Sequence, residues 1–372
     1  MKQFIVIGAG ILGASTAYQL SKSGAKVVIV DRKDTGQATD AAAGIVAPWL
    51  SKRRNKAWYK LAKGGARIYH NLIQELAEDG ETNTGYARVG AINLHTDEEK
   101  LIAMKEHAYK RREDAPEIGE ITLLNSKQTK EMFPLVSDEY TALHVSGAAR
   151  VDGRALRNAL LRGAEKHGAK IINGEARLLY EGTQITGVSV NGDNIEGDQV
   201  IAATGAWTSH LLEPLGMRFD IRPQRAQIVH LKVPGISPAN WPVVKPPFNQ
   251  YMLTFEDRVI VGSTHENNVG FDNRVTAGGI QHILSNAIKI APELENASIL
   301  ETRVGFRPMT PESVPVIGSL PGYDGLLLAN GLGSSGLTIG PYVGKQLADM
   351  ALEKELDIDL ANYDMTRLVK KS

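Results

Sequence analysis

A mixed α/β and α+β fold, in which a parallel-sheet domain is interleaved with an antiparallel-sheet domain, is predicted by three observations. The unbroken apolar run Phe4-Ile-Val-Ile7 meets the glycines Gly8-Ala-Gly10-Ile-Leu-Gly13 directly. A second buried-type run, Gln199-Val-Ile-Ala-Ala-Thr-Gly205, also ends on a glycine turn. Between and beyond these runs lie alternating segments of antiparallel character, and 372 residues exceed the usual extent of one hydrophobic core.

The first run has no polar alternation, as expected of a strand covered on both faces in a parallel sheet. Gly8 permits the tight turn, Gly10 lets the backbone approach a pyrophosphate, and Gly13 lets a helix at about Leu12 to Ser23 pack closely on the strand. That helix presents free N–H groups to phosphate. Gly24 ends it, Lys26-Val-Val-Ile-Val30 forms the next strand, and Asp31 stands where a ribose-hydroxyl acceptor is required, which disfavours a 2′-phosphate. Gly8, Gly10, Ile11, Leu12, Gly13, Asp31 and Arg32 are the expected contacts of this Rossmann-like dinucleotide site.

Lys plus Arg and Asp plus Glu both number 42, with no long run of either sign, so nothing favours a nucleic-acid partner. The absence of cysteine excludes disulfides, thiolate metal sites and a dithiol redox centre, so any redox chemistry falls to a bound cofactor. No metal site is expected. The first residues do not resemble a signal peptide and no apolar run is long enough for a transmembrane segment, which gives the expectation of a cytoplasmic protein. Oligomeric state is left open, a homo-oligomer included.

Thr39-Asp-Ala-Ala-Ala-Gly44-Ile45-Val46 is a small-residue stretch that lets backbone N–H groups approach a flat ring or a phosphate. This stretch is followed by the Ala-Thr-Gly-Ala-Trp turn at 203–207, Gly305-Phe-Arg307-Pro308-Met-Thr-Pro311 with Pro315-Val-Ile-Gly318, and Gly331 to Gly336. With the N-terminal fingerprint, this ordered set resembles the D-amino-acid oxidase superfamily, most closely its glycine-oxidase and D-amino-acid dehydrogenase branch. The resemblance runs from Phe4 to about Leu352 and implies a Rossmann-like FAD-binding domain holding FAD non-covalently; there is no cysteine for a covalent link and the first histidine is His70. It also implies that Asp31 holds the adenosine ribose, that Thr39 and Ala42 lie along the cofactor, that Gly44, Ile45 and Val46 line the flavin, and that Ala176 offers its backbone to adenine. Thr204, Gly205, Trp207 and Arg307 belong to the same expected lining.

Gly331-Leu-Gly333-Ser-Ser-Gly336 is a second literal match to the dinucleotide fingerprint, but the polar Glu353-Lys-Glu-Leu-Asp-Ile-Asp leaves no buried strand to complete a unit. The turn is better placed as a backbone platform whose helix, from about Leu337 to Leu352, points its positive end at the pyrimidine side of the flavin. Gly331, Ser335, Gly336, Leu337 and Thr338 are the expected contacts.

Oxidation of an amine on flavin needs positioning more than acid–base apparatus, so no catalytic acid or base is assigned. Arg is the side chain whose planar fork accepts a carboxylate, and the resemblance implies that Arg307 does so, with Tyr251 joining it. The bland alternatives are an Arg307 paired to a nearby acid and a Tyr251 that belongs to the core or a sheet edge. Arg225 precedes Ala226 where relatives commonly have glycine, Leu332 stands where many glycine-oxidase-like relatives have histidine, and Ser334-Ser335 also differs from their pattern. Glycine, sarcosine, proline and small D-amino acids are all candidate substrates.

The FAD domain is expected to comprise residues 1–85, 146–220 and 305–372, and the substrate domain 86–145 and 221–304. In the latter, strands are predicted at Arg225 to Val233 and Arg258 to Gly262, and helices near Thr96 to Asp114 and Ala277 to Ile290. The basic aromatic cluster at 51–60 reads as a solvated loop and helix face. The expected activity is FAD-dependent oxidation of a small amino acid or amine to its imine, with oxygen as electron acceptor. Rival readings are a D-amino-acid or secondary-amine dehydrogenase serving a quinone or carrier, a flavin subunit of a larger amine dehydrogenase complex, and an NAD-dependent dehydrogenase.

Overall fold

The computed structural model describes residues 2–371 and is built around two large sheets. In the six-stranded sheet, Gln3–Ile7 lies between Lys26–Asp31 and Gln199–Ala202, all parallel, with Lys170–Asn173 outside the former and Leu326–Asn330 outside the latter. Val316–Ser319 closes the far edge antiparallel. Phe4, Val6 and Ile29 face a helical layer made by Ile11–Lys22, Gly153–Lys166, Lys56–Glu78 and Gly336–Ala351, while Ile5, Ile7 and Val30 face a second core. That second core includes Leu178, Val188 and Val190 of a three-stranded antiparallel sheet, so both faces are covered, as a parallel sheet requires.

Helix Ile11–Lys22 is buried along nearly its whole length, and its buried Ser and Thr hydroxyls are satisfied within it: Ser15 Oγ donates to Ile11 O at 2.6 Å, Thr16 Oγ1 to Leu12 O at 3.0 Å and Ser21 Oγ to Ala17 O at 2.8 Å. Its backbone can lie this close to the sheet because Gly13 has no side chain. A Cβ there would sit 1.8 Å from Gly8 O.

The eight-stranded sheet is mostly antiparallel and draws on two stretches of chain: Ala91–His95, Ile121–Leu124 and Thr141–Val145 from the first, and Arg222–Lys232, Val243–Lys245, Tyr251–Phe255, Arg258–Gly262 and Ser298–Met309 from the second. They join where Val243–Lys245 runs parallel to Ala91–Asn93. Helix Ala277–Ile290 packs Ile283, Ala287 and Ile290 on one face, and helix Glu98–Arg112 packs Leu101 and Ala108 on the other. Both expected helices are present, within two residues at each end. Ser298–Met309 extends past residue 305 and pairs with Arg222–Lys232 over its whole length, carrying Arg307 on a strand that leads from one sheet toward the other.

The cluster at 51–60 differs from the expected solvated face. Asn55 caps helix Lys56–Glu78, its Oδ1 accepting from Trp58 N at 2.9 Å, which turns Trp58 and Tyr59 inward. The Arg53 guanidinium stacks 4.8 Å from the Trp58 ring centroid, and Arg111 covers Tyr59 at 3.6 Å. Lys52, Arg54, Lys56 and Lys60 remain exposed.

Candidate active site

A cavity of about 1600 Å³ runs from the carboxyl ends of the parallel strands to the antiparallel sheet. It exceeds the roughly 300–1,000 Å³ of an ordinary ligand pocket and so has room for a dinucleotide beside a substrate. At one end Gly8, with φ +99°, turns the chain out of the first strand, and Gly10, Ile11 and Leu12 line the cavity. Gly10 caps the helix with no side-chain bond, and Thr39 Oγ1 accepts from Ile11 N at 3.0 Å. The N–H groups of the next helical residues are left for an anion.

Asp31, the last residue of the second strand, lines the cavity. Its carboxylate accepts from Ala9 N and Lys33 N, both at 2.6 Å, and from Gln37 Nε2 at 2.9 Å. Arg32 lines the cavity but is engaged by Asp34 at 2.7 Å and Glu175 at 2.9 Å, and Glu175 also meets His210. Ala176 follows at the start of its strand and lines the same end.

Toward the antiparallel sheet the lining continues through Thr39, Ala42, Gly44, Ile45, Thr204, Gly205 and Trp207. Trp207 meets Phe306, also in the lining, edge-on at 6.2 Å, and the exposed Phe271 stacks on Trp207 at 5.0 Å from outside it. Ser335, Gly336, Leu337 and Thr338 also line it, and helix Gly336–Ala351 has neither a side-chain cap nor an acid in its first turn. Thr338 Oγ1 donates to Ile45 O at 2.9 Å, tying that helix start to the small-residue stretch.

Three expected cofactor contacts lie behind the lining. Gly13 is the helix–strand contact, Val46 is buried where Ile45–Val46 pairs with Ala149–Arg150, and Gly331, at φ +78°, is a turn packed on Thr310.

Arg307 and Tyr251 line the same cavity. Arg307 is only 9% exposed, and its guanidinium has neutral partners alone: Nη2 donates to Ser263 Oγ at 2.7 Å, and Nη1 to Gln224 Oε1 at 2.9 Å and Thr264 O at 3.2 Å. Burial lowers its pKa, and the charge of Arg53 pushes the same way. Arg225, by contrast, is bound by Glu266 at 2.6 Å and Asp272 at 2.9 Å, and is the structural arginine of this sheet. Burial raises the Tyr251 hydroxyl pKa, so it stays protonated as a donor.

Sequence reasoning missed three further lining residues. Lys245 donates from Nζ to Ala47 O at 2.7 Å, and burial lowers its pKa to about 8. His265 is held neutral, its pKa lowered to about 4 by burial and then by Arg307. Arg53 reaches the cavity and donates from Nη2 to Ser334 Oγ at 3.0 Å. Of these, only Arg53 gave a sequence signal, as part of the basic cluster. Among the described residues no group of His, Asp and Glu is arranged to hold a metal, and no helix is long and apolar enough to cross a membrane.

A strand–glycine–helix turn, a carboxylate at the end of the second strand and a second helix start facing the same long cavity fit a dinucleotide cofactor. The chain belongs to the FAD dependent oxidoreductase family named DAO, which matches residues 3–350. Its cofactor is FAD, and it is an oxidoreductase whose relatives include glycine oxidases and an iminodiacetate oxidase. It is 55% identical to the uncharacterized oxidoreductase YurR of Bacillus subtilis, over 98% of both chains. It is 30% identical to a glycine oxidase of Pseudomonas aeruginosa, over 97% of this chain and 98% of that one. The crystal structure of iminodiacetate oxidase from Chelativorans sp. BNC1 superimposes with a TM-score of 0.94 at 42% identity, covering 97% of this chain and 98% of that one.

Proposed function

We propose that the protein oxidises the carbon beside the nitrogen of a small amino acid or N-substituted glycine, giving the imine, with oxygen as electron acceptor. The observation that carries this reading is Arg307, a buried guanidinium in the cavity whose protein partners are all neutral. A buried cation of that kind calls for a carboxylate, and its fork can bind one through two hydrogen bonds. Oxygen is favoured because relatives named as oxidases include the glycine oxidase and the iminodiacetate oxidase.

The residues present fit FAD. Asp31 would take the ribose hydroxyls, the N–H groups at the start of Ile11–Lys22 the pyrophosphate, and the start of Gly336–Ala351 the pyrimidine edge of the flavin. FAD when bound supplies the two-electron acceptor for the hydride that leaves the substrate carbon. The chain's own residues fix the substrate. Arg307 holds its carboxylate, and Ser263 and Gln224 hold Arg307. The protonated Tyr251 hydroxyl adds a donor, and neutral His265 adds no charge beside them. Trp207 and Phe306, packed edge-on, form a further part of the cavity lining.

The test is product analysis of the FAD-loaded enzyme in air with glycine, sarcosine, proline, D-alanine and iminodiacetate. One hydrogen peroxide and one carbonyl product per oxygen consumed is the expected result. Turnover that needs an added dye or quinone would assign a dehydrogenase instead.

A further inference from the structure

The charged groups of the cavity divide into two sets. The lining carboxylates Asp34, Glu175 and Glu213 are joined through Arg32 and His210, and Asp31 lies on the same side, held by Ala9 and Gln37. Arg307, Arg53, Lys245 and the exposed Lys52 line the cavity with no ion pair to any carboxylate among the described residues. A single substrate carboxylate answers Arg307 alone.

Arg53 is built as an anchor. Its backbone N–H donates to Ser51 Oγ at 3.3 Å, its guanidinium plane stacks on Trp58, and one nitrogen is held by Ser334. The Trp58 indole N–H in turn donates to Ser335 Oγ at 3.2 Å, so the stacking ring is itself fixed to the turn before helix Gly336–Ala351. The neighbouring Lys52 donates from Nζ to Pro247 O at 3.5 Å, on the segment that leads into Tyr251, and this places Arg53 at the substrate end; its charge opposes protonation of both Arg307 and His265. A stacked, tethered guanidinium loses little side-chain freedom on taking an anion.

We infer that Arg53 is a second carboxylate anchor and that the preferred substrates are amines carrying two carboxylates, one for Arg307 and one for Arg53. The inference rests on the reading of Arg307 given above.

The test uses unreactive ether analogues, so binding is separated from turnover. Oxydiacetate carries two carboxylates and methoxyacetate one, and each is titrated into the FAD-loaded enzyme and followed by the flavin absorption spectrum. Oxydiacetate is expected to bind about ten- to a hundred-fold more tightly than methoxyacetate, the scale of one additional charged hydrogen-bonded contact. Arg53→Gln abolishes most of that advantage and Arg53→Lys retains part of it. The iminodiacetate-to-sarcosine ratio of kcat/KM falls in parallel. Equal binding of the two analogues to the unmodified enzyme, or an equal loss for both in Arg53→Gln, overturns the proposal. Binding of neither analogue overturns the Arg307 anchor and this proposal together, whereas oxydiacetate selectivity without amine oxidation leaves the anchor standing and rejects only the assigned reaction.

Discussion

Arg225 and Arg307 occupy neighbouring positions in one antiparallel strand pair, where Arg225 faces Phe306 and Gln224 faces Arg307. Their electrostatic surroundings are opposite. Arg225 lies between the carboxylates of Glu266 and Asp272, whereas Arg307 receives only a hydroxyl, an amide and a backbone carbonyl. One guanidinium is neutralised by the fold, and the other is the one we propose to hold the substrate carboxylate.

Tyr251→Phe removes the hydroxyl and little else. Because that hydroxyl is a protonated donor beside Arg307, KM for the substrate is expected to rise about three- to ten-fold, the value of one hydrogen bond, with FAD content unchanged. Steady-state kinetics on the purified variant checks this.

Asp31→Asn removes the anionic acceptor after the second strand. FAD affinity is expected to fall about ten- to a hundred-fold, with activity restored by excess FAD, since a charge-assisted hydrogen bond contributes on this scale. Titration of apoprotein with FAD, followed by flavin fluorescence, gives the dissociation constant.

Gly13→Ala forces a methyl group against Gly8 O. Separation of the first helix from the first strand is expected to cost about 1–3 kcal/mol and to lower FAD content, because both phosphate-facing segments move. Thermal unfolding of the variant with and without FAD measures both effects.

These glycines and Asp31 were legible in the sequence because each answers a local steric or spacing demand. Arg307 was legible through its motif, and its neutral surroundings became visible only once Ser263 and Gln224 were brought beside it from other strands. Strands Ala91–His95, Ile121–Leu124 and Thr141–Val145 were not foreseen, since they are short and only Ala91–His95 joins them, through distant chain, to Val243–Lys245 of the larger sheet. The role of Arg53 was hidden for the same reason: its partner Ser334 lies 281 positions away.

His230 gives a pH dependence outside the cavity. It is 1% exposed, neither ring nitrogen has a hydrogen bond, and Nδ1 lies 3.4 Å from Glu301 Oε1. Burial, then Arg303, lowers its pKa below the ordinary 6.5. The unfolded chain therefore takes up a proton near pH 6.5 that the folded chain refuses, and stability is lost as pH falls below that value. One such group gives a slope of at most about 1.4 kcal/mol per pH unit. Denaturant unfolding between pH 7 and 5 should show a shallower slope for His230→Leu than for the unmodified protein.

The most direct test of the account is rapid mixing, without oxygen, of FAD-loaded protein and of its Arg307→Leu variant with glycine, sarcosine and iminodiacetate, following loss of the flavin absorption band. At least one amine is expected to bleach the unmodified enzyme. Arg307→Leu should retain FAD yet be reduced about a hundred-fold or more slowly at equal substrate concentration, as expected for loss of a buried charged contact. Reduction of the variant at the unmodified rate, or an enzyme that no amine bleaches, would contradict the account.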